Sequence, residues 1–251
     1  MSDETRTRSA GVRLLSGIKE VALVIIGALI ISAVLRAFVF EPFTIPSGSM
    51  ENTLQVNDKV VAQKLTDFKR GDVIVFSDPG NWVGGIPHTE PNPLAKALEF
   101  IGVLPNSSNT FLTKRVIGLP GDRVHCCDAQ GRVTVNGYAL DEAAYLYSDA
   151  NGTVLPSEMN FDVVVPRDHL FVLGDHRNAS ADSRCHMTDD SAGQAPGMLA
   201  FVPTANVVGP VGLIVAPFDR WQQLRTPDAF EGVPPPDDAP AAPKIIVKSD
   251  C

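Results

Sequence analysis

The chain has 251 residues, 44% of them hydrophobic, and a formal charge of −8. That hydrophobic share supplies a packed core and excludes a wholly disordered protein. The acidic excess lies entirely beyond residue 40, so the body has no basic surplus to neutralise phosphates and nucleic acid is excluded as its partner.

The first predicted element is apolar. From Val21 to Leu35 every residue is apolar, Ser or Gly, and after Arg36 the run resumes as Ala37-Phe38-Val39-Phe40. With Arg36 reaching toward the headgroups, about 20 residues are available to span a hydrocarbon core of roughly 30 Å. We therefore expect a cytoplasmic segment over 1–18 and a transmembrane helix over 19–40. A cleavable leader is the alternative, but the apolar core is long, Arg36 follows it, and no pair of small residues at −3 and −1 precedes Glu41. Arg6, Arg8, Arg13 and Lys19 should stay in the cytoplasm, placing everything after Phe40 outside. That side is oxidising, which makes Cys126, Cys127, Cys185 and Cys251 candidates for a disulfide.

Beyond the anchor, runs such as 59–62, 72–76, 112–117, 132–135, 162–165, 170–173 and 211–215 have strand length and strand composition. Pro120-Gly121-Asp122, Asn136-Gly137 and Asn151-Gly152 punctuate them. The reading is a mainly β protein, an antiparallel β-sheet body over 41–225. Residues of about 77–110 break the pattern and read as an insertion, with Pro93 opening an amphipathic helix through Ile101. The Pro-rich stretch 226–251 reads as a disordered tail. No internal repeat and no second membrane span is evident.

Three segments carry chemistry. Ser47-Gly48-Ser49-Met50 follows closely on the anchor; a Gly between two serines lets the backbone bend sharply and leaves a hydroxyl beside free amides, as a nucleophile requires. In a strand, Lys114 shares its face with Leu112 and Val116 while Arg115 points the other way, and a desolvated lysine there would be a base neutral near pH 7. The third, Gly174-Asp175-His176-Arg177-Asn178-Ala179-Ser180-Ala181-Asp182-Ser183-Arg184, follows a buried strand as a polar loop whose side chains need partners. Each alone has a plainer reading: a loop, a solvated edge lysine, a calcium-binding or solvated turn.

Together, Ile-Pro-Ser-Gly-Ser-Met after a single span, then Lys-Arg-Val-Ile-Gly-Leu-Pro-Gly-Asp, then Gly-Asp-x-Arg-x-x-Ser-x-Asp-Ser-Arg resemble the ordered signature boxes of bacterial type I signal peptidases, over Leu35 to about Val215. The resemblance implies two antiparallel β regions on the extracytoplasmic face of the cytoplasmic membrane, with Ser49 as nucleophile and Lys114 as general base. It implies an oxyanion hole of the Ser47 hydroxyl and Ser49 amide, Ser180 orienting the Lys114 amine, and Asp182 behind it. Arg115, Asp175 and Arg184 would form supporting ion pairs. Phe43, Ile45, Pro46, Met50, Leu54, Leu112 and Thr113 would line shallow pockets for small side chains. The expected partners are signal peptides of exported preproteins and membrane lipid, for a monomer near the secretion translocon that uses no cofactor and no metal.

The chain departs from the common family pattern at Glu51-Asn52 and at His176, Asn178 and Ala179, and His176 introduces a second titrating group. Two other functions compete. A repressor-cleaving Ser-Lys protease would lack the span, and an inactive membrane-tethered scaffold would be expected to have lost one of Ser49, Lys114 and Ser180. A zinc site from His125, Cys126, Cys127, Cys185 and His186 is disfavoured because adjacent cysteines lack the usual ligand spacing. A disulfide from Cys126 or Cys127 to Cys185 is expected instead. Trp82, Phe100, Ile101 and Trp221 are candidates to enter the membrane interface, since nine residues from Phe40 hold Ser49 within roughly 30 Å of the bilayer.

Overall fold

The computed structural model describes residues 4–80, 82–84, 92 and 110–247. The chain divides into two compact units, one containing the N-terminal helix and the other Glu41–Thr89 with Ser108–Cys251. The helix, α1, runs Glu4–Phe38 without a proline to break it. Its stretch Gly17–Leu35, 19 residues long, is apolar and unburied, a candidate membrane span of about 28 Å at ~1.5 Å per residue.

The other unit is mainly β and antiparallel, as expected. Its strands are β1 (Phe40–Thr44), β2 (Lys59–Gln63), β3 (Val73–Ser77), β4 (Phe111–Gly118), β5 (Arg123–Cys126), β6 (Val133–Val135), β7 (Tyr138–Ala139), β8 (Ser148–Asp149), β9 (Gly152–Thr153), β10 (Phe161–Val164), β11 (His169–Leu173), β12 (Val202–Pro203), β13 (Val207–Ala216), β14 (Gln222–Gln223) and β15 (Lys244–Val247). The larger sheet has the order β1-β2-β13-β3-β4-β11-β12, with β14 also on β13; the smaller is β15-β10-β5-β6-β7, and β8 with β9 makes a separate hairpin. Successive residues of β3 and of the second half of β4 are buried, so both faces are covered there, and the sequences Val-Ile-Val-Phe and Val-Ile-Gly run apolar without alternation. The β6–β7 turn is Asn136-Gly137, with φ of 53° and 80°, the positive values that a two-residue hairpin demands and that Asn and Gly tolerate.

Three apolar clusters organise the body. Ile45, Met50, Leu54, Val60, Val73, Val75 and Ile214 form one. Ile74, Phe76, Trp82, Val116, Leu170 and Val172 form another. Ile117, Phe171 and Leu173 reach across to Val124, Val135, Phe161 and Val163 and join the two sheets.

Three expectations need correction. The tail is not a free segment: β15 pairs antiparallel with β10, Phe230 is buried in the third cluster, and the carbonyls of Pro234 and Pro240 accept from Asn136 Nδ2 and the Arg167 amide. Its prolines cannot build a core of their own, but they lie against one already made. Trp82 is interior rather than interfacial, donating from Nε1 to Leu199 O at 2.9 Å and stacking on His186. Cys126 is bonded to Cys127, its immediate neighbour at the end of β5, so the expected bridge from this pair to Cys185 is not made; Cys185 is disulfide-bonded too. The helix anticipated from Pro93 to Ile101, with most of the 77–110 insertion, lies outside the described residues.

Candidate active site

Ser49 sits in a single 3-10 turn, Gly48–Met50, immediately after β1. Ile45 and Met50 anchor the turn on either side by burying into the core. Ser47 precedes the turn in extended conformation and its hydroxyl makes no capping bond. The first amides of a helical turn have no acceptor within it, and Ser47 and Ser49 both line the small cavity at the turn.

Lys114 lies mid-strand in β4, opposite Ile74 of β3, and is 3% exposed. Among the described residues its hydrogen bond is to Ser49, Nζ to Oγ at 2.5 Å. Burial, only partly offset by the charges of Asp182 and Asp175, lowers its pKa to about 8. Roughly a tenth of the amine is then neutral at pH 7 and about half at pH 8, and a neutral amine at hydrogen-bond distance can take a serine proton.

The loop after β11 packs behind this pair through charges that are almost wholly buried. Asp182 accepts from the Gly174 amide (3.0 Å), from Ser180 Oγ (2.8 Å) and from both Nε and a terminal nitrogen of Arg184 (2.8 Å each). Burial pushes its carboxyl up, but the Arg184 charge and these bonds outweigh burial and leave it below the usual range. Ser180, expected to orient the amine, donates its hydroxyl to Asp182, and a Cβ on Gly174 would collide with it and with the Ser49 carbonyl. Gly174 is thus the residue that lets this loop close on the nucleophile. Arg115 holds Asp175 bidentately (2.8 and 2.5 Å), donates to Gly71 O and reaches Thr53 Oγ1.

Around Ser49 a cavity of about 30 Å³ is lined by Ile45, Pro46, Met50, Leu112 and Thr113, together with Phe111. The other two expected lining residues stand back from it: Leu54 is fully buried in the core and Phe43 packs edge-on against Phe111 at 4.9 Å. Several residues near the site had no motif to announce them. Thr53 donates to Asp175 (2.5 Å), Glu142 pairs with Arg177 and accepts from Tyr145, and the Tyr145 ring lies 4.3 Å under Arg115. Arg177 stood within the third segment; the 142–147 run has neither periodicity nor spacing to mark it.

A buried amine facing a serine hydroxyl, on an open antiparallel scaffold, has the parts of an acyl-transfer site and places the protein among hydrolytic peptidases of mainly β fold. The chain belongs to the signal peptidase family, peptidase S26, which it matches over residues 18–216. It is 37% identical over 240 residues to a signal peptidase I of Mycobacterium tuberculosis, covering 86% of this chain and 79% of that one. It is 34% identical over 242 residues to a probable signal peptidase I of Mycobacterium leprae, covering 86% and 82%. A crystal structure of a signal peptidase I from Enterococcus faecalis superposes with a TM-score of 0.33 at 24% identity, over 58% of this chain and 97% of that one.

Proposed function

We propose that this protein is a membrane-anchored signal peptidase I that releases signal peptides from exported preproteins on the outer face of the cytoplasmic membrane. The observation that carries the reading is the Lys114 Nζ to Ser49 Oγ contact of 2.5 Å in a buried site, with the amine pKa lowered to about 8. Arg6, Arg8 and Arg13 in the first part of α1 and the apolar stretch that follows them support an anchor with its N-terminus in the cytoplasm.

The preprotein lies extended beside β4, with the small side chain at −1 in the cavity of about 30 Å³. Lys114 takes the Ser49 proton as Oγ attacks the carbonyl carbon of residue −1. The tetrahedral oxyanion is held by the Ser49 amide and the Ser47 hydroxyl, donors whose value lies in being fixed before charge develops. The intermediate collapses to an ester of Ser49 with the signal peptide, and the ammonium of Lys114 gives its proton to the departing amine of the mature chain. Lys114, neutral again, takes a proton from the water that attacks the ester carbonyl; as the second tetrahedral intermediate collapses, its ammonium returns that proton to the departing Ser49 Oγ, freeing the signal peptide and restoring the dyad. Asp182 and Arg184, paired with each other, position Ser180 and the Gly174 backbone around the dyad.

Purified protein incubated with one preprotein should generate a new N-terminus directly after an Ala-x-Ala sequence. A substrate with Leu for Ala at −1 should be cut far more slowly, since roughly 30 Å³ admits little beyond a methyl group. Efficient cleavage after Leu, or cleavage by a Ser49→Ala variant, would overturn the reading.

A further inference from the structure

We propose that the cavity beside His176 binds the mature side of the substrate, two to four residues beyond the scissile bond, and favours a cationic side chain there over an acidic one. This rests on the reading of Ser49 as the nucleophile. The cavity, of about 440 Å³, is lined by Tyr147, Asp149, Thr153, Glu158, His176 and Asn178 among others, and shares no residue with the small apolar cavity at Ser49 and Lys114. Its walls are the β8–β9 hairpin on one side and the loop after β11 on the other.

His176 joins this cavity to the nucleophile. Its amide donates to the Ser49 carbonyl at 3.1 Å, its Nδ1 lies 3.3 Å from Gly48 O and 3.2 Å from Glu51 Oε2, and its ring stacks on Tyr147 at 3.8 Å between centroids. Ser49 therefore faces the apolar cavity with its side chain and is tied to the polar one through its carbonyl. A substrate whose acyl half fills the first leaves its amine half to continue elsewhere, and the second begins one side chain away. An extended chain advances about 3.3 Å per residue, and a cavity that begins at His176, bonded to the Ser49 carbonyl, is assigned to the second to fourth mature residues. Volume suits several residues rather than one.

The charge of the lining decides the preference. Asp149 and Glu158 are acidic, Glu51 lies behind His176, and no Lys or Arg lines the cavity among the described residues. A lysine on the mature chain finds carboxylates there; a glutamate meets like charge.

The test uses the full chain in detergent and peptides identical from the signal side to +1, carrying Lys, Ala or Glu at +2, +3 or +4. At low ionic strength kcat/KM for Lys should exceed that for Glu by about fivefold at one or more of these places, mainly through KM, and the ratio should shrink toward one near 1 M salt. In Asp149→Asn with Glu158→Gln the ratio should approach one. Because Asp149 also accepts from the Asn151 amide within the hairpin turn, Glu158→Lys alone serves as a second variant, and it should lower or invert the ratio. Equal cleavage of Lys and Glu peptides by the wild type, or a preference untouched by both variants, would overturn the proposal. Failure to cut even the Ala peptide would overturn the peptidase function itself, and the cavity's role with it.

Discussion

At the scale of single residues, the lysine is held in an environment that works against its own charge. Burial lowers Lys114 from 10.5 to about 8, so at pH 7 only roughly a tenth of the amines are neutral and that fraction rises with pH. The acid limb of kcat/KM should accordingly fall near pH 8, since it reports the base of the free enzyme. Lys114→Arg should abolish turnover because a guanidinium stays charged at any working pH. His176→Asn should retain most of kcat/KM and leave that limb in place, since His176 binds the backbone and Glu51 rather than Ser49 Oγ; a limb that disappeared with His176 would move the base to the histidine. The same shift is also a statement about stability. The unfolded chain holds the lysine proton up to about 10.5 and the folded chain releases it near 8, so folding stability rises with pH between the two. Below pH 8 the buried ammonium costs about 3 kcal/mol, and Lys114→Met should be more stable than the wild type at pH 7. That gain should vanish toward pH 10.5, which denaturant titrations at the two pH values would measure.

At the scale of elements, the 3-10 turn carrying Ser49 and the loop carrying Asp175 to Arg184 are joined by backbone bonds and buried ion pairs instead of strand pairing. Arg177 clamps the loop to Glu142, whose side chain is 1% exposed. Arg177→Met should cost about 3 to 5 kcal/mol, because it leaves a buried carboxylate without its partner. Chemical denaturation would read the loss, and a change under about 1 kcal/mol would argue that the pair is solvated. The C-terminal strand, by contrast, is held by strand pairing. It covers the outer edge of β10, and the segment before it closes over Gly121, whose φ of +88° and contact with the Asp237 carbonyl leave no place for a side chain. A chain ended after Arg225 should therefore lose stability and expose a sheet edge prone to self-association. Phe230→Ala should cost about 3 kcal/mol through lost burial alone.

At the scale of the whole molecule, a helix with an unburied apolar surface and a β body with its own core are separate units. A membrane contact by α1 and one by the body can therefore be tested separately. Trp221 is 62% exposed and Phe218, three residues before it, is 88% exposed, whereas Trp82 is 8% exposed. For a chain begun at Glu41, anionic vesicles should shift tryptophan emission to the blue, and Trp221→Phe should remove the shift. Emission indifferent to vesicles would confine attachment to the helix.

Much of this was legible in the order of residues. A run of apolar side chains long enough for a bilayer, strands bounded by Gly and Pro turns, and three polar segments of fixed spacing depend on local periodicity and local conformational preference, which a linear sequence carries in full. Ser49 and Lys114 were singled out by the resemblance of the three ordered segments to a known family, since each segment alone reads as well as a loop or a solvated edge lysine. What the tertiary structure alone decided are the relations between distant segments. It closes Gly174 on the Ser49 carbonyl, places Glu142 and Tyr145 under Arg177 and Arg115, turns Trp82 inward, and lays a proline-rich tail along a finished sheet. Those outcomes turn on which surfaces remain uncovered once the strands have paired, and on the cost of leaving a buried charge without a partner. Neither quantity exists until the chain has folded.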